Sequence, residues 1–178
     1  MLLKTLLQSY LTTGHPGYDP VIPSFTETIT GCRVFLDEAP TIYLDDDGAE
    51  INVPAAGPDV LIYATGPHQS LPGTDDSVTT VELAIDLTLP PETSPTDAEG
   101  HWEGLKKLLR ARLIETEPQP HIRHPLAARL TALASYQELD IRIHDILEWQ
   151  ETPAIEELPS GGLQRSLKAT YLFSPLPA

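Results

Sequence analysis

The sequence predicts an α+β fold in which helices pack on a mostly antiparallel sheet. Apolar and polar residues alternate over residues 81–89, which is typical of a strand with one buried face. The predicted order along the chain is one helix, several strands, two helices and two strands. Strands and helices that are grouped in this way favour an α+β class. We expect the 178 residues to form a single domain.

The first predicted helix occupies the start of the chain. Its apolar residues recur three and four positions apart and would share one face: Leu2, Leu3, Leu6, Leu7, Tyr10 and Leu11. Gly14 ends this pattern, and Pro16 prevents the helix from continuing. Residues 15–31 are rich in proline, so we expect them to form an extended arm.

Short strands are predicted after the arm. Three apolar segments lie close together along the chain, at residues 34–36, 42–44 and 51–53. Asp47 and Gly48 between the second and third segments predict a hairpin turn, because both residue types tolerate positive φ. The continuous apolar run at residues 60–63 predicts a further strand that is buried on both faces.

The long alternating strand leads into the second predicted helix. Pro90 and Pro91 stop the strand, and Thr96 with Glu99 matches a capping box. We therefore expect a helix over residues 96–113. Its apolar positions fall on one side: Trp102, Leu105, Leu109 and Leu113.

The last third of the chain predicts a helix and two more strands. The helix covers residues 125–136, with Leu126, Leu130 and Leu133 as its apolar line. Alternation resumes from Leu139, and we expect an acidic loop at about residues 150–162. The final strand, residues 163–173, is predicted to join an edge of the sheet.

The charge of the chain limits its partners. The formal net charge is −15, which argues against a large phosphate-binding surface because such a surface needs clustered Lys and Arg. An acidic surface repels DNA, which suits a protein that lets DNA pass without binding it. Solubility alone is the simpler explanation of this charge. No apolar run approaches the length of a membrane span.

Candidate catalytic and metal-binding residues are few. His101 could act as a general base, with Glu99 or Glu103 to orient it, but charge at a helix start explains the same residues. His121 and His124 have a plausible ligand spacing, yet nothing near them completes a zinc site. Cys32 has no identifiable base beside it. We therefore predict no catalytic residues, no metal and no cofactor.

Residues 59–113 carry an arrangement that resembles a known family. The strand DVLIYATG is followed by LPGTDDSVTTVELAIDLTL, a short polar break, and the helix TDAEGHWEGLKKLLRARL, which begins near the element Glu99-Gly100-His101. This arrangement is similar to that of the tail-terminator, or tail-completion, proteins of tailed bacteriophages. The resemblance covers the middle third of the chain well and its two ends loosely.

The resemblance implies a structural role in the virion rather than an enzyme. Such proteins form rings, typically homohexamers, that cap the tail tube and meet the head-completion (stopper) protein, after assembly in the host cytoplasm. DNA would pass through the lumen without specific binding. The carboxylates that we expect to face the lumen lie in two acidic segments: Asp45, Asp46, Asp47, Glu156 and Glu157.

Three alternatives remain open at this point. The first two are a head–tail adaptor and a baseplate component, which sequence patterns separate poorly from a tail terminator. The third is a metal-dependent hydrolase that uses His101, or His121 with His124. Ordinary solvated loops are the simplest alternative for the acidic segments.

Overall fold

A computed structural model confirms the α+β class. It describes residues 2–17, 21–29, 31–38, 42–44, 47–48, 50–52, 57–70, 78–110, 125–152, 154–158 and 161–175. Four helices occur in these ranges: α1 (Leu2–Thr13), α2 (Phe25–Thr28), α3 (Pro95–Arg110) and α4 (Pro125–Tyr136). Five short strands come first: β1 (Arg33–Leu36), β2 (Ile42–Leu44), β3 (Glu50–Asn52), β4 (Asp59–Ala64) and β5 (Gln69–Ser70). The remaining strands are β6 (Thr79–Leu89), β7 (Ile141–Glu151), β8 (Glu156–Glu157) and β9 (Leu163–Pro175).

The described strands form one large sheet and one small one. The large sheet has the order β1-β4-β6-β9-β7, with β5 paired to β6 and β8 paired to β9. The β1–β4 pair is parallel and the other pairs are antiparallel. Strands β2 and β3 form a separate antiparallel hairpin, and Gly48 between them has φ +81°. The predicted hairpin is therefore confirmed.

The position of the final strand differs from the prediction. Strand β9 lies between β6 and β7 and pairs with β6 over eleven positions, from Thr79↔Phe173 to Leu89↔Leu163. It is thus an interior strand and not an edge strand. Its alternating pattern is the same in both positions, because alternation reports the two faces of a strand and not the number of its neighbours.

One face of the large sheet packs against the helices. The odd-numbered apolar residues of β6 and β9 are almost completely buried: Val81, Leu83, Ile85, Leu87, Leu167, Ala169 and Tyr171. The predicted apolar faces of α1, α3 and α4 are buried against them, including Trp102, Leu105 and Leu109. Two residues of those faces are exceptions: Leu2 is 40% exposed, and Leu113 lies outside the described residues. In β4, Val60 and Ile62 are fully buried, whereas Leu61 and Tyr63 are half-buried, so burial on both faces is only partial.

Helix α3 begins earlier than the sequence predicted. The hydroxyl of Ser94 accepts a hydrogen bond from the backbone N–H of Asp97 at 3.1 Å and donates one to the Asp97 carboxylate at 2.8 Å. Ser94 is therefore the N-terminal cap, and Pro95 occupies the first helical position, where its missing N–H costs nothing. The predicted cap, Thr96, lies inside the first turn.

Two segments that were expected to be irregular contain regular structure. The proline-rich arm includes α2, whose cap Ser24 forms a capping box with Glu27, and a bridge between His15 and Ile22. The expected acidic loop at residues 150–162 includes the end of β7 and the short strand β8. The capping box stabilises the start of α2, because the side chains of Ser24 and Glu27 each accept a hydrogen bond from the backbone N–H of the other residue.

Candidate functional site

The predicted lumen carboxylates fall on two different sheets. Glu156 and Glu157 form β8 and are exposed, with Gln164 and Leu163 of β9 as their register partners. Asp47 is exposed beside Gly48 in the small hairpin. Asp45 and Asp46 lie outside the described residues. These exposed side chains can supply negative charge to a surface.

His101 lies at the rim of a small cavity. The cavity has a volume of about 330 Å³. Its lining contains glycine, prolines and acidic residues: Gly57, Pro58, Pro90, Glu92, Thr93, Asp97 and His101. The carboxylate of Asp97 bonds to the capping hydroxyl of Ser94. The cavity thus lies at the start of α3, between that helix and the start of β4.

The two glutamates that could have oriented His101 have other partners. Glu99 accepts a hydrogen bond from the guanidinium of Arg165 at 2.9 Å. Glu103 pairs with the ammonium of Lys106 at 2.6 Å. A general base needs an orienting group within hydrogen-bond reach. Glu99 connects α3 to Arg165 of β9 instead, whereas the Glu103 pair lies within α3.

A charged cluster surrounds the buried ring of Trp102, and the sequence reasoning missed it. The guanidinium carbon of Arg165 lies 4.8 Å from the ring centroid, and the Lys106 nitrogen lies 5.9 Å from it. Lys106 also pairs with Glu151 of β7 at 3.3 Å. Trp102 Nε1 and Arg165 Nε are buried without a hydrogen-bond partner among the described residues. The cluster joins α3, β7 and β9 through cation–π contacts and ion pairs.

One sequence signal could have revealed this cluster. Arg165 shares the parity of Leu167 and Ala169, the core-facing residues of β9. A cation at a core-facing position requires partners, because burying an unpaired charge is costly. Sequence alone did not show that Trp102 and Glu99, about one turn apart on a distant helix, would provide these partners.

The surroundings of Cys32 disfavour its thiolate form. Burial, followed by the nearby charge of Asp59, raises the pKa of the Cys32 thiol to about 12. Because the pKa is raised, Cys32 stays protonated at neutral pH. The protonated thiol is much less reactive than the thiolate. Asp59 itself is buried and accepts two hydrogen bonds from Arg33, at 2.9 and 2.8 Å. This bidentate pair ties the start of β4 to the start of β1.

A histidine–serine pair joins the ends of β7 and β9. His144 Nε2 lies 2.7 Å from the hydroxyl of Ser174, and both side chains are half-buried. His144 is at an irregularity of β7, where the register shifts between Ile143 and Asp145. Nucleophilic catalysis needs oxyanion donors aimed at a bound substrate in addition to such a pair. Neither His144 nor Ser174 lines the cavity beside His101.

The described residues include some of the side chains that could bind a metal ion. Within the described ranges, no three His, Cys, Asp or Glu side chains are grouped so that they could hold a metal ion. His121 and His124 lie outside those ranges. The described helices include none that is long and apolar enough to cross a membrane.

Comparison with known proteins gives no family assignment. No protein-family model matches the chain, and no curated protein matches it significantly.

Proposed function

We propose that this chain is a ring-forming tail-terminator protein of a tailed bacteriophage or a related particle. The ring, typically a homohexamer, would cap the tail tube and connect it to the head-completion complex. The observation that carries the proposal is the sequence arrangement over residues 59–113 and its resemblance to that family. We place the protein at the tail or neck of the virion, after assembly in the host cytoplasm.

The charge distribution supports this proposal. A net charge of −15 includes exposed carboxylates on strand β8 and at the small hairpin, which are the residues that we assign to the lumen. DNA that moves through an acidic channel is repelled from the walls on all sides and does not adhere to them. Positive walls would instead hold the DNA through its phosphates.

The enzymatic alternative has less physical support. Glu99 and Glu103 pair with Arg165 and Lys106 rather than with His101, and the Cys32 thiol is held protonated. A head–tail adaptor or a baseplate component is the runner-up, because both would share the acidic surface and the α+β fold.

The first experiment examines the assembly itself. The purified chain is imaged by negative-stain electron microscopy, alone and with a tail-tube protein, and its mass is measured by native mass spectrometry. We expect closed rings with a channel wide enough for duplex DNA. A chain that stays monomeric at high concentration, even with a tube partner, would contradict the proposal.

The second experiment examines the lumen assignment. Glu156→Lys with Glu157→Lys should make the ring retain duplex DNA at low salt, because two cations per subunit would then face the channel. The matched control places lysine at Glu38 and Asp140, which are exposed and lie outside β8. DNA retention that is equal in both variants would mean that β8 has no special position in the ring.

A further inference from the structure

The two edge strands of the large sheet are sites at which another molecule could add a strand. Strand β1 ends the sheet on one side and β7 ends it on the other. An edge strand presents unpaired N–H and C=O groups, to which an extended segment of another molecule can bind. Strand β7 is eleven residues long and pairs with β9 alone among the described strands, so its outer edge is the larger target.

A threonine of α4 occupies the outer edge of β7. The backbone N–H of Ile143 donates to the Thr131 hydroxyl at 3.0 Å, and that hydroxyl donates to the Ile143 carbonyl at 3.1 Å. Ile143 is opposite Phe173 in the β7–β9 register. In an antiparallel ladder, alternate residues direct both backbone groups away from the partner strand. Ile143 is such a residue, and Thr131 satisfies both of its groups at once.

The middle of β7 is less favourable for strand addition than a regular edge strand would be. The N–H of Ile146 donates to the carboxylate of its neighbour Asp145 at 2.8 Å. The register shifts twice, once on each side of this region, and Glu148 at the second shift has φ +54°. Bulges of this kind bend an edge strand and interrupt the regular spacing that a new strand would need.

The opposite edge has an equivalent contact from α1. The side-chain amide of Gln8 donates to the Val34 carbonyl at 3.1 Å. The backbone N–H groups of Arg33 and Asp37 donate to the carbonyls of Pro58 and Ile62. The backbone groups of the odd-numbered residues of β1 therefore point towards β4. Val34 lies between them, so its backbone N–H and carbonyl point away from β4. Gln8 therefore binds an outer-edge carbonyl that would otherwise accept a hydrogen bond from an added strand.

We propose that Thr131 and Gln8 are edge guards, helix side chains that prevent an extended segment of a second copy of this chain from adding to the sheet. Each guard comes from the helix that packs beside its edge strand, and each occupies backbone groups that strand addition requires. The guards would act in a monomer and in a closed ring alike. They confine any assembly to surfaces other than these two edge positions.

Thr131→Val is the direct test, because it removes the hydroxyl and keeps the branched shape. At low concentration, hydrogen exchange at the Ile143 amide should become about tenfold faster, as expected for the loss of a hydrogen bond. As concentration rises, sedimentation velocity should show species about twice the wild-type mass or larger, since like edges pair two-fold. The Ile143 amide should then regain protection. Gln8→Met in the same chain should extend the association further.

Two controls separate guarding from a general loss of stability. Thr131→Ser keeps the hydroxyl and should sediment as the wild type does. Thr26→Val removes a half-buried hydroxyl of α2 that bonds to the carbonyl of Thr12 at 3.1 Å. The proposal is overturned if the Thr131→Val protein keeps the wild-type mass at every concentration while folded. It is also overturned if Thr26→Val, compared at equal folded fraction, associates to the same extent.

Discussion

At the scale of single residues, the pair of Tyr63 and Asp86 departs most from what the sequence predicted. Alternation placed Asp86 on the polar face of β6, where a carboxylate would be solvated. The structure leaves it only 7% exposed, and its Oδ1 atom has no hydrogen-bond partner among the described residues. Burial, followed by the charge of Asp86 and a hydrogen bond to it, raises the pKa of Tyr63 to about 12. This pKa shift indicates that the Tyr63 hydroxyl donates to the buried Asp86 carboxylate.

Tyr63→Phe should therefore lower the free energy of unfolding. It removes the donor and leaves the buried carboxylate less satisfied, which costs about 1–3 kcal/mol. In a background with Asp86→Leu, the same change should cost almost nothing, because no acceptor remains. Urea unfolding of the four proteins measures this coupling. Equal effects of Tyr63→Phe in both backgrounds would show that the hydrogen bond does not stabilise the fold.

At the scale of elements, the start of α3 shows how local signals compete. Two overlapping patterns are present, Ser94 with Asp97 and Thr96 with Glu99, and both match a cap followed by an acidic residue. Pro95 distinguishes them, since proline suits the first helical position and disfavours helical conformation in the residue before it. Glu99 bonds to Arg165 instead, which makes it unavailable to cap the helix.

Ser94→Ala and Thr96→Ala form a matched pair of variants at this helix start. Both residues are exposed, so neither change creates a cavity. Ser94→Ala should reduce the free energy of unfolding by about 1 kcal/mol, because the N–H of Asp97 loses its acceptor. Thr96→Ala should change it by less than half as much. Thermal and urea unfolding measure both, and the reverse order would restore Thr96 as the cap.

The predictable elements share a physical property: their signals are local. The periodic faces of α1, α3 and α4 and the alternation of β6 follow from adjacent residues, and the structure buries those faces. The interior position of β9 depends on which strands flank it, and that depends on contacts far apart in sequence. The same holds for Arg165 against Trp102, and for Thr131 against Ile143. These pairings have no local signature.

At the scale of the whole molecule, the proposed lumen is the least predictable feature. A carboxylate faces a lumen only in relation to neighbouring subunits, so no pattern within one chain specifies it. The structure places Glu156 and Glu157 on the large sheet and Asp47 at the separate hairpin. The surface charge that these residues contribute follows from the sequence, whereas their direction in a ring depends on the assembly.

Alkaline pH should destabilise the whole fold, because separate parts of it hold acidic protons tightly. Burial, with the charge of Asp59, raises the pKa of Cys32 from 9.0 to about 12. Burial is also the main cause that raises the pKa of Tyr63 from 10.0 to about 12, and burial raises the pKa of Tyr171. A group whose pKa is higher in the folded state contributes stability that is complete below its unfolded pKa. That contribution is lost as pH rises from about 9 towards 12.

We therefore expect the free energy of unfolding to fall steadily from about pH 9 upward, as measured by urea unfolding at several pH values. Combining Cys32→Ala with Tyr63→Phe should make this decline shallower, even though Tyr63→Phe lowers stability at neutral pH. Tyr136→Phe is the control, since that side chain is 59% exposed, and it should leave the slope unchanged. Parallel declines in the wild type and the double variant would assign alkaline unfolding to the growing net negative charge instead, because lysines also lose their protons in this range.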